Sequence, residues 1–356
     1  MTDCKHAAAG PMPSTTTNVD PSLNGVVGIQ NVGNTCYLNS TVQILRAIPE
    51  WTAFCLNKNL AEECGEKKDT NQAKMLLAYQ DLIKTMWSTH KPAFVRPLGF
   101  IANVRTAVKG SVYEMFGMPI PNDSHEFLIY LLDNFHEAIS KKVNTAIDTV
   151  PTTEMTELAR RGWGNFIKTG HSPVVDLFFG MIRKTIECQT CKAKTYQWEV
   201  FNILKIPCEG SNFMDWIANE LTVSELSGYA CEKCSPVRCS AKMYSHIWCL
   251  PQALFIALRR FKPNGQKEMC PCPYAGETIE LGKYFAEESP EQSKGWKYTL
   301  CGIVDHHGSH MGGHYNTQFK HPTSQEWWLL DDERAHKLVQ PCFNGANYLF
   351  LFRQTV

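Results

Sequence analysis

Cys188-Gln-Thr-Cys191 and Cys231-Glu-Lys-Cys234 form two Cys-x-x-Cys knuckles with 39 residues between them. Four thiolates suit a closed tetrahedral zinc site, and with no ligand position left open such a site is structural. Any fold of this chain must then bring the two knuckles together. The gap exceeds that of a compact zinc ribbon, so an insertion lies between them. A site of this kind contributes on the order of 10 kcal/mol to local folding. Redox-active pairs compete for the same motif, but two matched pairs favour metal. Cys239, Cys270 and Cys272 are read as spare.

The remaining cysteines bear on compartment. There are 15 in all, an odd number, and the first residues show no basic-then-apolar signal peptide. Both facts argue against a secreted disulfide scaffold and point to the cytosol or nucleus. No apolar run reaches the length of a membrane span. Lys plus Arg equals Asp plus Glu at 35 each, so no overall charge draws the chain to nucleic acid or anionic lipid. A zinc-dependent nucleic-acid binder would need a basic stripe, and none is present.

Residues 1–24 are rich in Ala, Pro, Ser and Thr, which predicts a disordered tail ahead of a dense folded region, 25–353. The first half reads as helical. Leu38, Val42 and Leu45 make one apolar stripe on a helix from Cys36 to Ala47, capped by Asn34 or Thr35 and closed by Pro49. A second helix runs from Asp123 to Ile139, where Asp123 and Glu126 resemble a capping box. Asn57 to Thr70 and Lys141 to Thr169 read as loops, and Glu209 to Ser240 as a mixed polar stretch. Strands are predicted at Ala253–Phe261, Trp296–Asp305, His314–Lys320, Trp327–Asp332 and Ala346–Phe352. Helices first and strands later predict an α+β fold.

Two segments carry candidate chemistry. A turn at Gly33 and Asn34 delivers Cys36 to the first turn of a helix, where unpaired N–H groups and the positive end of the macrodipole favour a thiolate nucleophile. A cysteine nucleophile needs a base and a group to orient that base. Gly312-Gly313-His314-Tyr315 opens a strand, and the next strand ends in Asp331 and Asp332. A turn centred on Thr323 sets His314 opposite Asp332; a one-residue slip favours Asp331. Either acid would fix the imidazole tautomer. Asn31, five residues before Cys36, has an amide able to donate to an oxyanion.

These segments resemble the ubiquitin-specific protease family of deubiquitinases. Gly28-Ile-Gln-Asn-Val-Gly-Asn-Thr-Cys-Tyr-Leu-Asn-Ser-Thr-Val-Gln-Ile-Leu45 is similar to its cysteine box, and Asn122-Asp-Ser-His-Glu-Phe-Leu128 to the motif that follows. Leu258-Arg-Arg-Phe261, His306 to Tyr315, Trp327 to Asp332 and Asn347-Tyr-Leu-Phe-Leu-Phe352 match the later blocks in order. The resemblance implies a papain-like cysteine protease with thumb (about 25–172), then palm and zinc-binding fingers (about 173–353). It implies cleavage after the C-terminal glycine of ubiquitin, with ubiquitin and ubiquitinated proteins as partners. By the family pattern Cys36, His314 and Asp331 form the triad, with Asp332 in support. Asn31 matches the oxyanion residue, Asp123 a contact to the ubiquitin tail, and Cys188, Cys191, Cys231 and Cys234 the zinc ligands. The loop His307 to Gly313 would gate the tail channel. Asn122 replaces a usual Gln, and Asn316 replaces an apolar residue, which predicts a less buried strand there. The alternatives are a non-catalytic ubiquitin-binding scaffold and a protease for another ubiquitin-like modifier.

Overall fold

In the computed structural model, which describes residues 25–355 apart from 89, 91, 143–152, 169 and 273–275, the first half of the chain is helical. The expected disordered tail, 1–24, lies outside the described residues. Strand β1 (Gly28–Ile29) leads into α1 (Cys36–Leu45), α2 (Pro49–Asn57), α3 (Leu60–Cys64) and α4 (Asn71–Met86). Then come β2 (Phe94–Val95), α5 (Leu98–Val108), α6 (Ser124–Ile139), α7 (Glu154–Ile167) and α8 (Pro173–Phe178).

Helix α1 departs from the one-sided stripe its sequence suggests: all ten of its residues are buried. Its polar side chains tolerate this because nearby carbonyls take their donors. Asn39 Nδ2 donates to Ile29 O and Gln43 Nε2 to Val27 O, tying α1 to the β1 segment. The hydroxyls of Ser40 and Thr41 donate to Tyr37 O within the helix. Pro49 does not close α1; it opens α2, where a missing N–H costs nothing and a fixed φ suits the helix. Asp123 caps α6 as expected, its Oδ1 accepting from the N–H groups of His125 and Glu126.

Two stretches expected to be loops hold helices, α3 and α7. The stripe in α7 is Ala159, Trp163 and Ile167, each buried and four apart. It is broken up in the sequence by Gly162 and Gly164. Gly162 is there for contact: a Cβ would come within 2.8 Å of Trp198 Cβ.

The second half holds β3 (Gly180–Cys188), β4 (Lys194–Phe201), β5 (Ile203–Pro207), α9 (Phe213–Glu220), β6 (Ser224–Ala230) and β7 (Arg238–Cys249). It continues with β8 (Ala253–Arg259), β9 (Thr278–Glu280), β10 (Lys297–Ser309), β11 (Gly312–Lys320), β12 (Trp327–Asp331), β13 (Arg334–Leu338) and β14 (Asn347–Gln354). A large sheet runs β13-β12-β11-β10-β14-β8-β5 with β9 beside β10, and a smaller one runs β4-β3-β7-β6. The five predicted strands fall on β8, β10, β11, β12 and β14. The smaller sheet was not expected, because β6 shows little of the alternation that marks a half-buried strand. The α+β class holds.

Helix α1 lies directly on the large sheet. A Cβ at Gly302 of β10 would touch the Ile44 side chain at 3.2 Å, and Thr317 Oγ1 of β11 donates to Ser40 O. On its other side Tyr37 meets Phe127 of α6 edge-on, with ring centroids 5.1 Å apart. Strand β1 sits flush against the β12–β13 turn: Ile29 N donates to Asp332 O at 2.8 Å, and a Cβ at Gly28 would fall 2.3 Å from Glu333 O. Gly28→Ala must therefore push that turn away, at a cost of about 1–3 kcal/mol. A urea melt should show a lower midpoint; an unchanged midpoint would mean that β1 and the turn do not meet.

Candidate active site

Cys36 is the first residue of α1, so its thiol stands where the backbone N–H groups of the first turn lack intrahelical acceptors. The chain reaches it through a tight turn, with φ of +107° at Gly33 and +55° at Asn34. Such angles suit Gly and are tolerated by Asn. Cys36 is 6% exposed, and its Sγ lies 4.0 Å from the carbonyl oxygen of Gly313 on β11.

His314 stands one residue further along β11. Its Nε2 is 2.5 Å from Asp331 Oδ1, which leaves Nδ1 for the hydrogen bond with Cys36. The register decides between the two acids. Lys320 pairs with Trp327 and Thr317 with Leu330, one residue away from a turn centred on Thr323. Continued, this register sets Asp331 opposite Asn316, on the same sheet face as His314, so the carboxylate reaches the ring diagonally. The expected pairing of His314 with Asp332 is thus corrected by one residue.

Asp332 does not brace Asp331. It occupies the β12–β13 turn with φ of +47°, and its carboxylate points to the α1 side. Oδ2 accepts from Asn31 Nδ2 at 2.9 Å and Oδ1 from Asn39 Nδ2 at 2.8 Å. Asn31 is held further by its Oδ1, which accepts from the N–H groups of Gly33 and Thr35, and by its own N–H, donated to Glu333 Oε1. An amide nitrogen carries two hydrogens, so Asn31 keeps one donor after Asp332 has taken the other.

Asp123 lies in the same cleft wall. One oxygen caps α6 and the other accepts the hydroxyl of Tyr348 on β14. The segment expected to be a gating loop is mostly ladder: pairing of β10 with β11 continues to Ser309 and Gly312, leaving a two-residue tip. Asn316 is buried, contrary to expectation, with its Nδ2 3.3 Å from His307 Nε2.

The four knuckle cysteines converge far along the smaller sheet. Their sulfur atoms lie within 4.8 Å of one another, with Cys188 to Cys234 at 3.9 Å and Cys191 to Cys231 at 3.5 Å. Four thiolates each 2.3 Å from a tetrahedral ion are about 3.8 Å apart, so the cluster has the dimensions of a metal site. The long gap is explained by topology. After β4 the chain enters the large sheet as β5, forms α9, and returns as β6. Cys239 packs beside Cys188 and Cys231 but outside the quartet.

The family model described as ubiquitin carboxyl-terminal hydrolase matches residues 27–352. The chain belongs to the ubiquitin carboxyl-terminal hydrolase family. Among relatives, ubiquitin carboxyl-terminal hydrolase Usp2 of Drosophila melanogaster is 26% identical over 99% of this chain and 37% of its own length. Ubiquitin carboxyl-terminal hydrolase 2 of Rattus norvegicus is 25% identical over 98% of this chain and 57% of its own. The chain thus spans well under two thirds of these relatives. Its fold is shared with the SAGA Ubp8/Sgf11/Sus1/Sgf73 DUB module bound to ubiquitin aldehyde, at TM-score 0.71 and 19% identity over 94% of this chain and 70% of that one. In this member of the hydrolase family, sequence reasoning missed Asn39, Glu333 and Tyr348. The one available signal was the run of polar residues that Asn39 opens inside α1.

The imidazole of His314 is raised to about 9, first by its hydrogen bond to Cys36 and then, against desolvation, by Asp331. A folded value above the unfolded one means that the protonated ring stabilises the fold fully below about pH 6.5. That contribution is lost as pH climbs through 9. NMR titration of the ring should find its midpoint near 9, and Asp331→Asn should lower it; an unshifted midpoint in the variant would remove Asp331 from this role.

Proposed function

We propose that the chain is a thiol-dependent deubiquitinase, hydrolysing the isopeptide or peptide bond after the C-terminal glycine of ubiquitin. The observation that carries this is the His314 ring set between Cys36 and Asp331, with the amide of Asn31, five residues before Cys36, held by Asp332. Family membership and a structural neighbour bound to ubiquitin aldehyde support the choice of substrate.

With its imidazole raised, His314 readily takes and holds the proton of Cys36. The Cys36 thiolate attacks the carbonyl carbon of the terminal glycine, and the negative charge moves to its oxygen. Asn31 Nδ2–H and the Cys36 backbone N–H receive that charge. Asp332 holds the Asn31 amide in place beforehand, so no reorganisation is needed when charge develops. His314 gives its proton to the leaving amine as the carbon–nitrogen bond breaks, leaving a thioester. Water, losing a proton to His314, then cleaves the thioester to a carboxylate and restores Cys36. Asp331 keeps the imidazolium oriented throughout. Asp123, fixed by Tyr348, presents its carboxylate to the incoming ubiquitin tail.

We infer that Cys188, Cys191, Cys231 and Cys234 hold zinc, which supplies a structural cross-link and no chemistry. We also infer that 25–353 is one catalytic domain, with a thumb of about 25–172 and palm and fingers of about 173–353. None of the fourteen described cysteines is in a disulfide, which is compatible with a reducing compartment, cytoplasm or nucleus. Among the described residues no helix is long and apolar enough to cross a membrane.

Ubiquitin ending in an electrophile should label the parent at Cys36 and leave Cys36→Ser unlabelled. Labelling elsewhere, or none, would sink the proposal, and parallel probes built on other modifiers would identify a different substrate. Asn31→Ala should lower kcat by about 10²–10³-fold, the size expected for one oxyanion donor, while ubiquitin binding is retained. Elemental analysis should find one zinc per chain in the parent and none in Cys231→Ala; a zinc-free parent would end the metal assignment.

A further inference from the structure

The base of the smaller sheet holds a cluster of polar groups that neither the proposed reaction nor the cysteine quartet uses. Register places Arg183 of β3 opposite both Trp198 of β4 and His246 of β7, and Thr185 opposite Tyr196 and Tyr244. Residues directly opposite share a face, as do alternate residues of one strand. Arg183, Thr185 and His246 therefore point the same way, and so does Lys194, which lies opposite Glu187.

A cavity of about 400 Å³ opens on this face, lined by Arg183, Lys194, His246, Lys283, Glu287 and Glu288. Arg183 is 7% exposed and Thr185 is 6%. Arg183 Nε, His246 Nδ1 and Thr185 Oγ1 are all buried without a hydrogen-bond partner among the described residues. Leaving a buried donor unmet costs about 1–3 kcal/mol, so three such atoms on one face need an explanation. The guanidinium is otherwise well placed: it lies over the Tyr196 ring at 5.7 Å, and its Nη1 donates to Glu288 at 2.8 Å.

We infer that this cavity binds a phosphate-type oxyanion, free or carried as a phosphomonoester. Arg183 and His246, each with an unpartnered buried ring or guanidinium nitrogen, line it, and its lining carries three cationic side chains against two carboxylates. Glu288 is the obvious competitor for Arg183. Its side chain is 45% exposed, so it can turn to solvent when an anion arrives. Lys194 is only loosely engaged, 4.0 Å from Glu187, and Lys283 packs over the Tyr284 ring. Both ammonium groups can swing toward an anion at the mouth. Burial, and next the charge of Arg183, lower the imidazole of His246, which favours its neutral form.

Isothermal titration of the whole chain with inorganic phosphate, and separately with O-phosphoserine, tests the site. Saturable binding at one site per chain is expected for at least one of the two. The tighter ligand reports whether free phosphate or a phosphorylated side chain is the natural source. Arg183→Gln should weaken binding by at least about tenfold, the loss of a charge-assisted hydrogen bond. Glu288→Gln should tighten it by about two- to fivefold, because an exposed competing charge is gone. The second variant keeps the test decisive if the first does not fold. Absence of saturable binding in the parent would mean that water alone fills the cavity, and the inference falls. It falls equally if both variants bind like the parent, or if His314→Ala is the change that abolishes binding.

Discussion

Helix α1 has no face toward water, and that burial is what places a sulfur from residue 36 beside an imidazole from residue 314. It is pressed between α6 and the β10–β11 ladder, with Ile44 against Gly302 and Tyr37 against Phe127. Burying a helix with polar residues at Asn39, Ser40, Thr41 and Gln43 is costly unless each donor is met. The partners found are backbone carbonyls of Val27, Ile29 and Tyr37, so the segment before the nucleophile is held by the same bonds that permit burial. The cleft thus depends on the core, not on loops. Strand β11 in turn is fixed to its neighbours by a buried network: Asp305 accepts from Gln318 Nε2 and Asn347 Nδ2, joining β10, β11 and β14 just behind His314. Burial pushes the Asp305 carboxyl up while those two amides pull it down.

The paired acids at the end of β12 divide the labour by strand geometry. Asp331 is still in the ladder and shares the face of His314, whereas Asp332 has turned into the left-handed region and faces β1 and α1. One carboxylate therefore orients the base and the other orients the amide of Asn31. Both sit on one short turn, which Ile29 N and Gly28 hold against β1. A displacement of that turn would disturb the His314 ring and the Asn31 amide together. This explains why a glycine is required at position 28, far in sequence from either acid.

Much of this was legible in the sequence, for identifiable reasons. Cys36, His314 and the acids lie in segments whose local chemistry is self-contained: a Gly-Asn turn into a helix, and an apolar strand ending in charge. The cysteine quartet was legible because spacing alone encodes it. What was missed depended on partners distant in sequence. The register of β11 with β12 is displaced by one residue from that of a turn centred on Thr323, which the turn sequence does not reveal, whereas Asp331, the acid the family resemblance implied, is the one that meets His314. The role of Asp332 could not be read before the β1 contact was known. Helix α7 was obscured because Gly162 and Gly164 interrupt it, and the reason for Gly162 is a tryptophan 36 positions later. Strand β6 lacks alternation because neither of its faces is covered by a core.

That last point also bears on how the smaller sheet stays folded. Near its base, Trp198 and Trp248 meet edge-on at 4.8 Å under α7, and the apolar contacts are continuous with the main core. Toward its tip, among the described residues, the buried apolar cluster is Cys188, Cys231 and Cys239, with Ala193, Tyr229 and Cys234 alongside. Six small or partly exposed residues bury too little apolar surface to offset the ordering of two knuckles and the ends of three strands. A metal ion on the four clustered sulfurs, as proposed, would take over the part that hydrophobic burial plays elsewhere in the molecule. Such a cross-link would also tie β3 to the end of β6 after the chain has made its excursion through β5 and α9. Cohesion in this sheet therefore passes from side-chain packing at the base to the cysteine cluster at the tip, and the polar cavity lined by Arg183 opens on one face of the same sheet.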